Sequence, residues 1–502
     1  MINSVTALKR SVPPIVAFTA LVIVVSAGCL GCRPVSEPDK HTVIDSAKEL
    51  AEPPPLNTAT QVPVAKIAED VTATVAKDVV NDTAVEEATV ATSPEQMPQS
   101  APESSSGISN DSQAKYVTSS GKPFVPKSYY PKWSWDTVRE YKMLYSHRPL
   151  TDRQVRNIAS LTDFICIEKS HAVGRFKCAM LGTKHEAARF KRVNPHIKTL
   201  FYFNSAYAWP FTSYTKAIPK WSEKKKHSIL LKDHKTQRYA KFRNNYVFDI
   251  LKPTMRTWWS DTVSTAVRTS RANGLFWDQT HGASWMRPKW QMSKIKPAHV
   301  TLLKMTKKKL GQDSILLVNN ATDDFRYVAN CDGVMYEHYG MDKRYKKNRS
   351  LFVKDWDQML AVANAGKINI YRMPPLSFVP HNHPPVNQAY LNNRRKDSRY
   401  ADNYTRKLIP FPLACFLMGA QPYSYFMYGL GWGLHDGALI NFPETKKKLG
   451  PPKGRYQKMP KEGRMVFTRQ FEHAKVWVNL NTFEAEIKWS DETTTSNRRG
   501  SK

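Results

Sequence analysis

Two stretches of the 502-residue chain run from a glycine through apolar residues into a carboxylate: Gly274-Leu-Phe-Trp-Asp278-Gln-Thr-His-Gly282 and Gly333-Val-Met-Tyr-Glu337-His-Tyr-Gly340. Each reads as a buried strand whose last residue is an acid at the point where the strand opens into a loop. A parallel α/β barrel presents its chemistry in this way. An Asp and a Glu on different strands can flank one bond, one donating a proton while the other attacks or activates water. Glycosidic cleavage needs such a pair, because its oxocarbenium-like transition state wants an anion under the ring and an acid at the leaving oxygen. A separation near ~5 Å means retention of configuration and one nearer ~8 Å inversion, a distance the sequence does not contain. The competing reading is that both acids end their strands in structural salt bridges.

Other residues are placed to line the same mouth. Glu168, Lys169, Asn204, Asp249, Asn319, Asn320, Arg372 and Tyr428 stand at the ends of predicted strands, and Asp249, just before a helix start at Pro253, reads equally as a loop or cap residue. Trp277 and His281 neighbour Asp278, while Tyr336, His338 and Tyr339 neighbour Glu337, where they could shield it from water. Tyr207, Trp209, Trp285, Trp290, Tyr339 and Trp432 would stack on the apolar faces of sugar rings. Lys169, Arg287, Lys289, Arg344 and Arg372 could pair with sulfate or carboxylate substituents. A zinc site built from His281, His338, His381 or His383 with Asp278 or Asp249 lacks any His-Glu-x-x-His spacing. Neither a G-x-S-x-G elbow nor a glycine-rich phosphate loop is present, so no metal and no cofactor is expected.

The elements that must position these residues alternate strand and helix. Strands are predicted at 164–168, 199–204, 246–249, 275–278, 315–319, 334–337, 368–372 and 423–428. The best helix follows Pro253, with Met255, Trp258, Trp259, Val263, Ala266 and Val267 recurring at three and four, and Asn273-Gly274 is predicted to cap its end. Further helices are predicted at 184–193, 297–310 and 352–363, with a Pro-interrupted one ending at Gly419. Eight buried strands with helical crossovers predict a (β/α)8 barrel over 116–457, opening with an aromatic, basic lead-in from Tyr116 to Pro149. Beyond it, three alternating runs from Arg464 to Trp489 predict a small antiparallel β-meander over 458–490, and 491–502 reads as a disordered tail.

The N-terminal part has a different composition. Lys9 and Arg10 precede the apolar run from Ile15 to Val25, the pattern of an export signal. The small residues before Cys29 and Cys32 resemble a bacterial lipobox, so one of these cysteines is a candidate for lipidation and membrane anchoring, facing the periplasm or the cell surface, with secretion as the alternative. Residues 33–115 hold 6 Lys+Arg against 14 Asp+Glu with almost no aromatics, the composition of a disordered tether. From Tyr116 onward there are 67 Lys+Arg against 29 Asp+Glu, which points to an anionic partner: a sulfated or uronic polysaccharide, or an anionic membrane face. With an export signal and no RNP, zinc-finger or helix-turn-helix signature, nucleic acid is not expected. Cys166, Cys178, Cys331 and Cys415 are far apart and read as buried free thiols, although export permits one disulfide.

An Asp on the fourth strand after a Gly-aromatic run, a Glu on the sixth, and a closing meander with Arg469, Phe471 and Val476 to Asn479 together resemble the hypothetical TIM-barrel glycoside hydrolase families. These are related in form to the α-amylase, dextranase and endo-polygalactosaminidase barrels, and the resemblance spans roughly Phe164 to Trp489. It implies Asp278 as nucleophile and Glu337 as general acid/base. Amylase barrels carry their acid on strand five, whereas strand five here ends in Asn319-Asn320. The sequence therefore predicts an exported glycoside hydrolase acting on an oligo- or polysaccharide, with sulfated and uronic chains among the candidates. The alternative is a saccharide-binding lipoprotein that keeps the barrel without the chemistry.

Overall fold

Near-continuous apolar runs such as Phe164–Ile167 and Ile315–Asn319 are buried at every residue, as parallel strands covered on both faces must be. The computed structural model describes residues 116–321, 324–337, 339, 340, 343–375 and 405–490. In it these runs form one eight-stranded sheet: β1 (Lys142–Leu144), β2 (Phe164–Ile167), β3 (Lys198–Asn204), β4 (Gly274–Asp278), β5 (Ile315–Asn319), β6 (Gly333–Tyr336), β7 (Ile368–Met373) and β8 (Ser424–Tyr428). All neighbours pair in parallel. The ends meet where the Tyr141 amide donates to the Phe426 carbonyl (2.9 Å) and the Phe426 amide to that of Arg139 (2.8 Å), so the sheet is a barrel.

Helices cover its outside. They are α1 (Asp152–Leu161), α2 (Ala179–Val193), α3 (Pro253–Ser270), α4 (Met292–Leu310), α5 (Phe325–Ala329), α6 (Ser350–Asn364) and α7 (Pro410–Gly419). Local signals set their starts: a capping box between Thr151 and Gln154 opens α1, and Pro253 supplies the first turn of α3. This is the (β/α)8 barrel, with its functional face where the strands end.

The strand count agrees with the sequence reading, but one member differs. Tyr246–Asp249 is not a barrel strand: Asn245–Tyr246 pairs with Lys241–Phe242 in a short hairpin, while Val247 and Phe248 bridge to Tyr207 and Leu230. The first strand lies instead in the lead-in, at Lys142–Leu144. Lys142 conceals it, because a buried lysine does not read as strand core; here its ammonium sits 2.6 Å from Glu140, which also pairs with Lys446 at 3.0 Å. Nor does Gly274 cap α3. Arg271, at φ 54°, takes the left-handed position, and Gly274 is already inside β4, where a Cβ would lie 2.0 Å from the carbonyl oxygen of Ile315.

A four-stranded antiparallel sheet follows: β9 (Gln457–Lys458), β10 (Val466–Gln470), β11 (Ala474–Asn479) and β12 (Glu484–Trp489). Buried Arg469 ties it to the barrel, donating to the carbonyls of Leu417, Met418 and Ala420 at 2.8–2.9 Å and so satisfying the open end of α7. Cys166, Cys178, Cys331 and Cys415 are buried free thiols. The export signal with Cys29 and Cys32, the acidic tether, the tail, and His338, His381 and His383 lie outside the described residues.

Candidate active site

Side chains alternate across a strand, so on each strand every second residue faces the barrel interior and, at the strand's end, its mouth. On β3 and β4 these are Tyr202 with Asn204 and Phe276 with Asp278, paired in register. The Tyr202 ring stacks on Phe276 and its hydroxyl donates to Asp278 Oδ2. Burial and the nearby Asp278 and Glu168 carboxylates push the Tyr202 phenol far above its ordinary value, so it stays a donor. Asn204 Nδ2 reaches the same Oδ2 at 3.4 Å, and its Oδ1 is held by the amides of Ala206 and Tyr207.

From β5, Asn319 spans the two acids. Its Nδ2 donates to Asp278 Oδ1 at 3.0 Å and to Glu337 Oε2 at 2.6 Å. Those two oxygens therefore lie no farther apart than the two contacts end to end, roughly 6 Å, within the range of a carboxylate pair acting on one bond. Asn320 adds a bond to Glu337 Oε2 at 3.1 Å and accepts the Glu337 amide at 3.0 Å. The residues directly after the strand ends, Gln279 (φ 67°) and Asn320 (φ 50°), are both left-handed. That backbone lets consecutive residues face one centre, with the Gln279 amide 2.8 Å from Asp278 Oδ1; it is strain placed where the chemistry would be.

Glu168 directly follows β2 and is paired with Lys169. Burial pulls the Lys169 ammonium down, but the charges of Glu168, Asp278 and Glu337 outweigh it and hold it above the usual lysine value, so one cation serves three carboxylates. On the far side Arg372 donates to the Glu337 carbonyl (3.3 Å) and lies 4.2 Å over the ring of Trp432. Tyr207 and Trp209 line a recess with Lys169 and Asn204, and His281 packs 4.4 Å from Trp285. An open cleft of about 330 Å³ runs from Asp278 past His281, Lys296, Asn319 and Tyr327.

Of the residues singled out by sequence, Asp278, Glu337, Glu168, Lys169, Asn204, Asn319, Asn320, Arg372, Trp209, His281 and Trp432 are brought to this mouth. Trp277, Tyr336, Tyr339 and Tyr428 are not, as three of them stand one residue out of phase on their strands. Trp277 packs outward on Trp259 of α3 (4.5 Å) and Tyr336 stacks on Tyr371 (4.3 Å). The Tyr339 hydroxyl lies between the Cys415 carbonyl and Trp356 Nε1 under α6 and α7, and that of Tyr428 donates to the Thr405 carbonyl. Asp249 is a loop residue whose carboxylate holds Arg287 at 2.8 Å, which removes both from the mouth. Among the described residues no three His, Cys, Asp or Glu side chains converge as a metal site. Tyr202 was missed by sequence reading; its position two before Asn204 on a predicted strand was the available signal.

Beneath the loop after β4, His299 is fully buried and its imidazole is pushed down to about 3 by burial; His281 is pushed down to about 4, burial outweighing the pull of Asp278. Both are therefore neutral in the folded protein where the unfolded chain takes up protons. Stability is fully present above pH ~6.5 and is lost as pH falls toward 4 and then 3. At pH 5 His299 alone should cost about 2 kcal/mol relative to pH 7. Urea unfolding of wild type and His299→Leu at the two pH values should show a smaller drop in the variant; equal drops would remove His299 as the cause.

The model of hypothetical glycosyl hydrolase family 15 matches residues 191–475, a span that contains Asp278, Asn319, Glu337 and Arg372. The chain belongs to this family. Family membership makes it a glycoside hydrolase and agrees with the likeness read from the strand-end acids and the meander. Similar solved structures include the glycoside hydrolase domain of PelA from Pseudomonas aeruginosa, 13% identical, covering 53% of this chain and 90% of that one at a TM-score of 0.34. Ega3 of Aspergillus fumigatus in complex with galactosamine is 12% identical, covering 63% and 98% at 0.35. Amy13B of Eubacterium rectale is 11% identical, covering 70% and 89% at 0.40. No curated protein matches the chain in sequence.

Proposed function

We propose that the chain is an exported retaining glycosidase of oligo- or polysaccharides, with Asp278 as nucleophile and Glu337 as general acid/base. The observation that carries this reading is the Asn319 amide shared between the two carboxylates, which brings Asp278 Oδ1 and Glu337 Oε2 within roughly 6 Å, nearer the separation of a double displacement than that of an inverting pair. In the first step Asp278 Oδ2 attacks the anomeric carbon, Glu337 gives its proton to the leaving oxygen, and the glycosidic bond breaks. In the second, Glu337 takes a proton from water as that water displaces Asp278. The donors around Asp278 orient it for attack: the Tyr202 hydroxyl, Asn204, Asn319 and the Gln279 amide. Lys169, among three carboxylates, keeps the mouth from carrying their full negative charge.

Export rests on the basic-then-apolar N-terminus, and anchoring through Cys29 or Cys32 on the lipobox-like residues before them. The mechanism is tested by proton NMR of the sugar first released from a cleaved glycan. The same anomer as in the substrate is expected, and the opposite anomer would assign Asp278 to water activation instead. Binding of glycans with no cleavage in wild type would favour a non-catalytic saccharide receptor.

A further inference from the structure

The connection from β3 to α3 carries a charge that the hydrolytic reaction does not need. Residues 220–245 contain nine Lys or Arg and two acids. They fold as a short helix, Glu223–Ile229, followed by the hairpin of Lys241–Phe242 and Asn245–Tyr246. Both acids are used internally. Glu223 pairs with Lys226 at 3.0 Å and accepts the Tyr239 hydroxyl, while Asp233 accepts the amides of Lys235 and Thr236. Among the described residues no carboxylate forms an ion pair with Lys232, Lys235, Arg238 or Lys241. Lys232 and Lys241 are steered instead by aromatic rings, 5.4 Å over Tyr239 and 4.9 Å over Tyr246.

Aromatic contacts join this arm to the mouth. Phe242 stacks on Tyr207 at 4.6 Å and lies 6.4 Å from Trp285, which is 57% exposed and packs against His281 at the edge of the Asp278 cleft. The two turn residues of the hairpin, Arg243 (φ 48°) and Asn244 (φ 63°), are both left-handed. A two-residue turn of this kind favours Asn or Gly at each place, so arginine in the first is strained and turn geometry does not explain it.

We propose that this arm is a specificity element that reads the negative charges of an anionic glycan, whether carboxylates or sulfates, as the chain enters the cleft. Exposed Trp285 offers a face for a sugar ring, and Phe242 packs toward it from the hairpin; Lys241, one residue before, and Lys232 gather with Tyr246 and Tyr239 on the hairpin's other face, with Arg243 in the turn between, where substituents of a chain passing over the arm would meet them. The inference rests on the glycosidase reading for the direction of the cleft; the charge reading itself is a matter of binding.

The test uses the full-length chain carrying Asp278→Asn, so that binding is read without turnover, in affinity electrophoresis through gels containing polygalacturonate, dextran sulfate or neutral dextran. Retardation by an anionic gel and not by dextran is expected, and whichever anionic gel retards more identifies carboxylate or sulfate as the group read. Lys232→Gln/Lys241→Gln/Arg243→Gln should weaken it by about tenfold, three modest charge contacts together. The exposed control set Lys304→Gln/Lys308→Gln/Lys475→Gln, away from the cleft, should leave it unchanged. Arg243→Gly should also weaken binding while the melting temperature holds or rises, since glycine suits the turn. Equal losses in the arm and control sets, equal retardation by dextran, or an arm variant that loses only its attachment to phosphatidylglycerol vesicles would overturn the proposal. Absence of turnover in wild type, with the binding pattern intact, would overturn the glycosidase reading and leave this one standing.

Discussion

Asp278→Asn should lower glycosidase turnover by about 10⁴-fold or more, and Glu337→Gln by about 10²–10⁴-fold, with the fold unchanged in both. The two substitutions are nearly isosteric. Asparagine at 278 still accepts from the Gln279 amide and Asn319, so its conformation should hold, but its amide cannot form a glycosyl ester. Glutamine at 337 keeps its bonds with Asn319 and Asn320 and loses only the proton to be donated. The roles separate by leaving group. A dinitrophenyl glycoside needs little protonation, so Glu337→Gln should recover much of the first step on that substrate, whereas Asp278→Asn should recover none. Added azide should then accelerate Glu337→Gln by attacking the glycosyl ester in place of water. Full turnover in both variants would return the pair to structural strand-end acids. Loss in Asp278→Asn alone would leave the nucleophile in place and move the acid to Glu168.

Gly274→Ala should destabilise the barrel by about 3 kcal/mol or more, or prevent folding, although it adds one methyl group far from any cleft. The added Cβ would lie 2.0 Å from the Ile315 carbonyl oxygen and 2.7 Å from its nitrogen, and these are main-chain atoms held in parallel register with β4. A side chain would turn aside, whereas this backbone moves only if β4 and β5 part. Those are the strands that carry Asp278 and Asn319, so any variant that folds should lose activity along with stability. Urea denaturation measures the first effect, and an unchanged midpoint would mean that the two strands sit farther apart than described. Gly282→Ala is the comparison in which the added Cβ meets side chains and no backbone, the Cγ2 methyl of Ile295 at 2.9 Å and His299 Cε1 at 3.1 Å, with the strain of φ 60° besides.

Much of the architecture was legible because it depends on local pattern. Apolar runs of four to six residues alternating with helical periodicity predict a parallel barrel, and acids at the ends of two such runs mark the mouth. The two strand-end acids, the Pro253 helix start and the closing meander follow from this alone, whereas Asp278 falls on the fourth strand in both counts because the false strand at 246–249 stands in for the missed β1. What failed did so where burial depends on a distant partner. β1 was hidden because Lys142 looks exposed until Glu140 and Lys446 surround it. Tyr246–Asp249 looked like a strand until Asp249 met Arg287, 38 residues away.

Phase was the finer difficulty. Trp277, Tyr336 and Tyr428 are neighbours of the right residues in the chain, yet one position along a strand turns a side chain from the mouth to the helix layer. The composition of a run does not state that phase when both faces are apolar. The meeting of the two acids was beyond local reading altogether. Asn319 lies 41 residues from Asp278 and 18 from Glu337, and its amide reaches both only because the barrel sets β4, β5 and β6 side by side. Residue types and their spacing along the chain thus pointed to the two candidate acids, while the shared amide that brings them together came from the packing of strands that are distant in sequence.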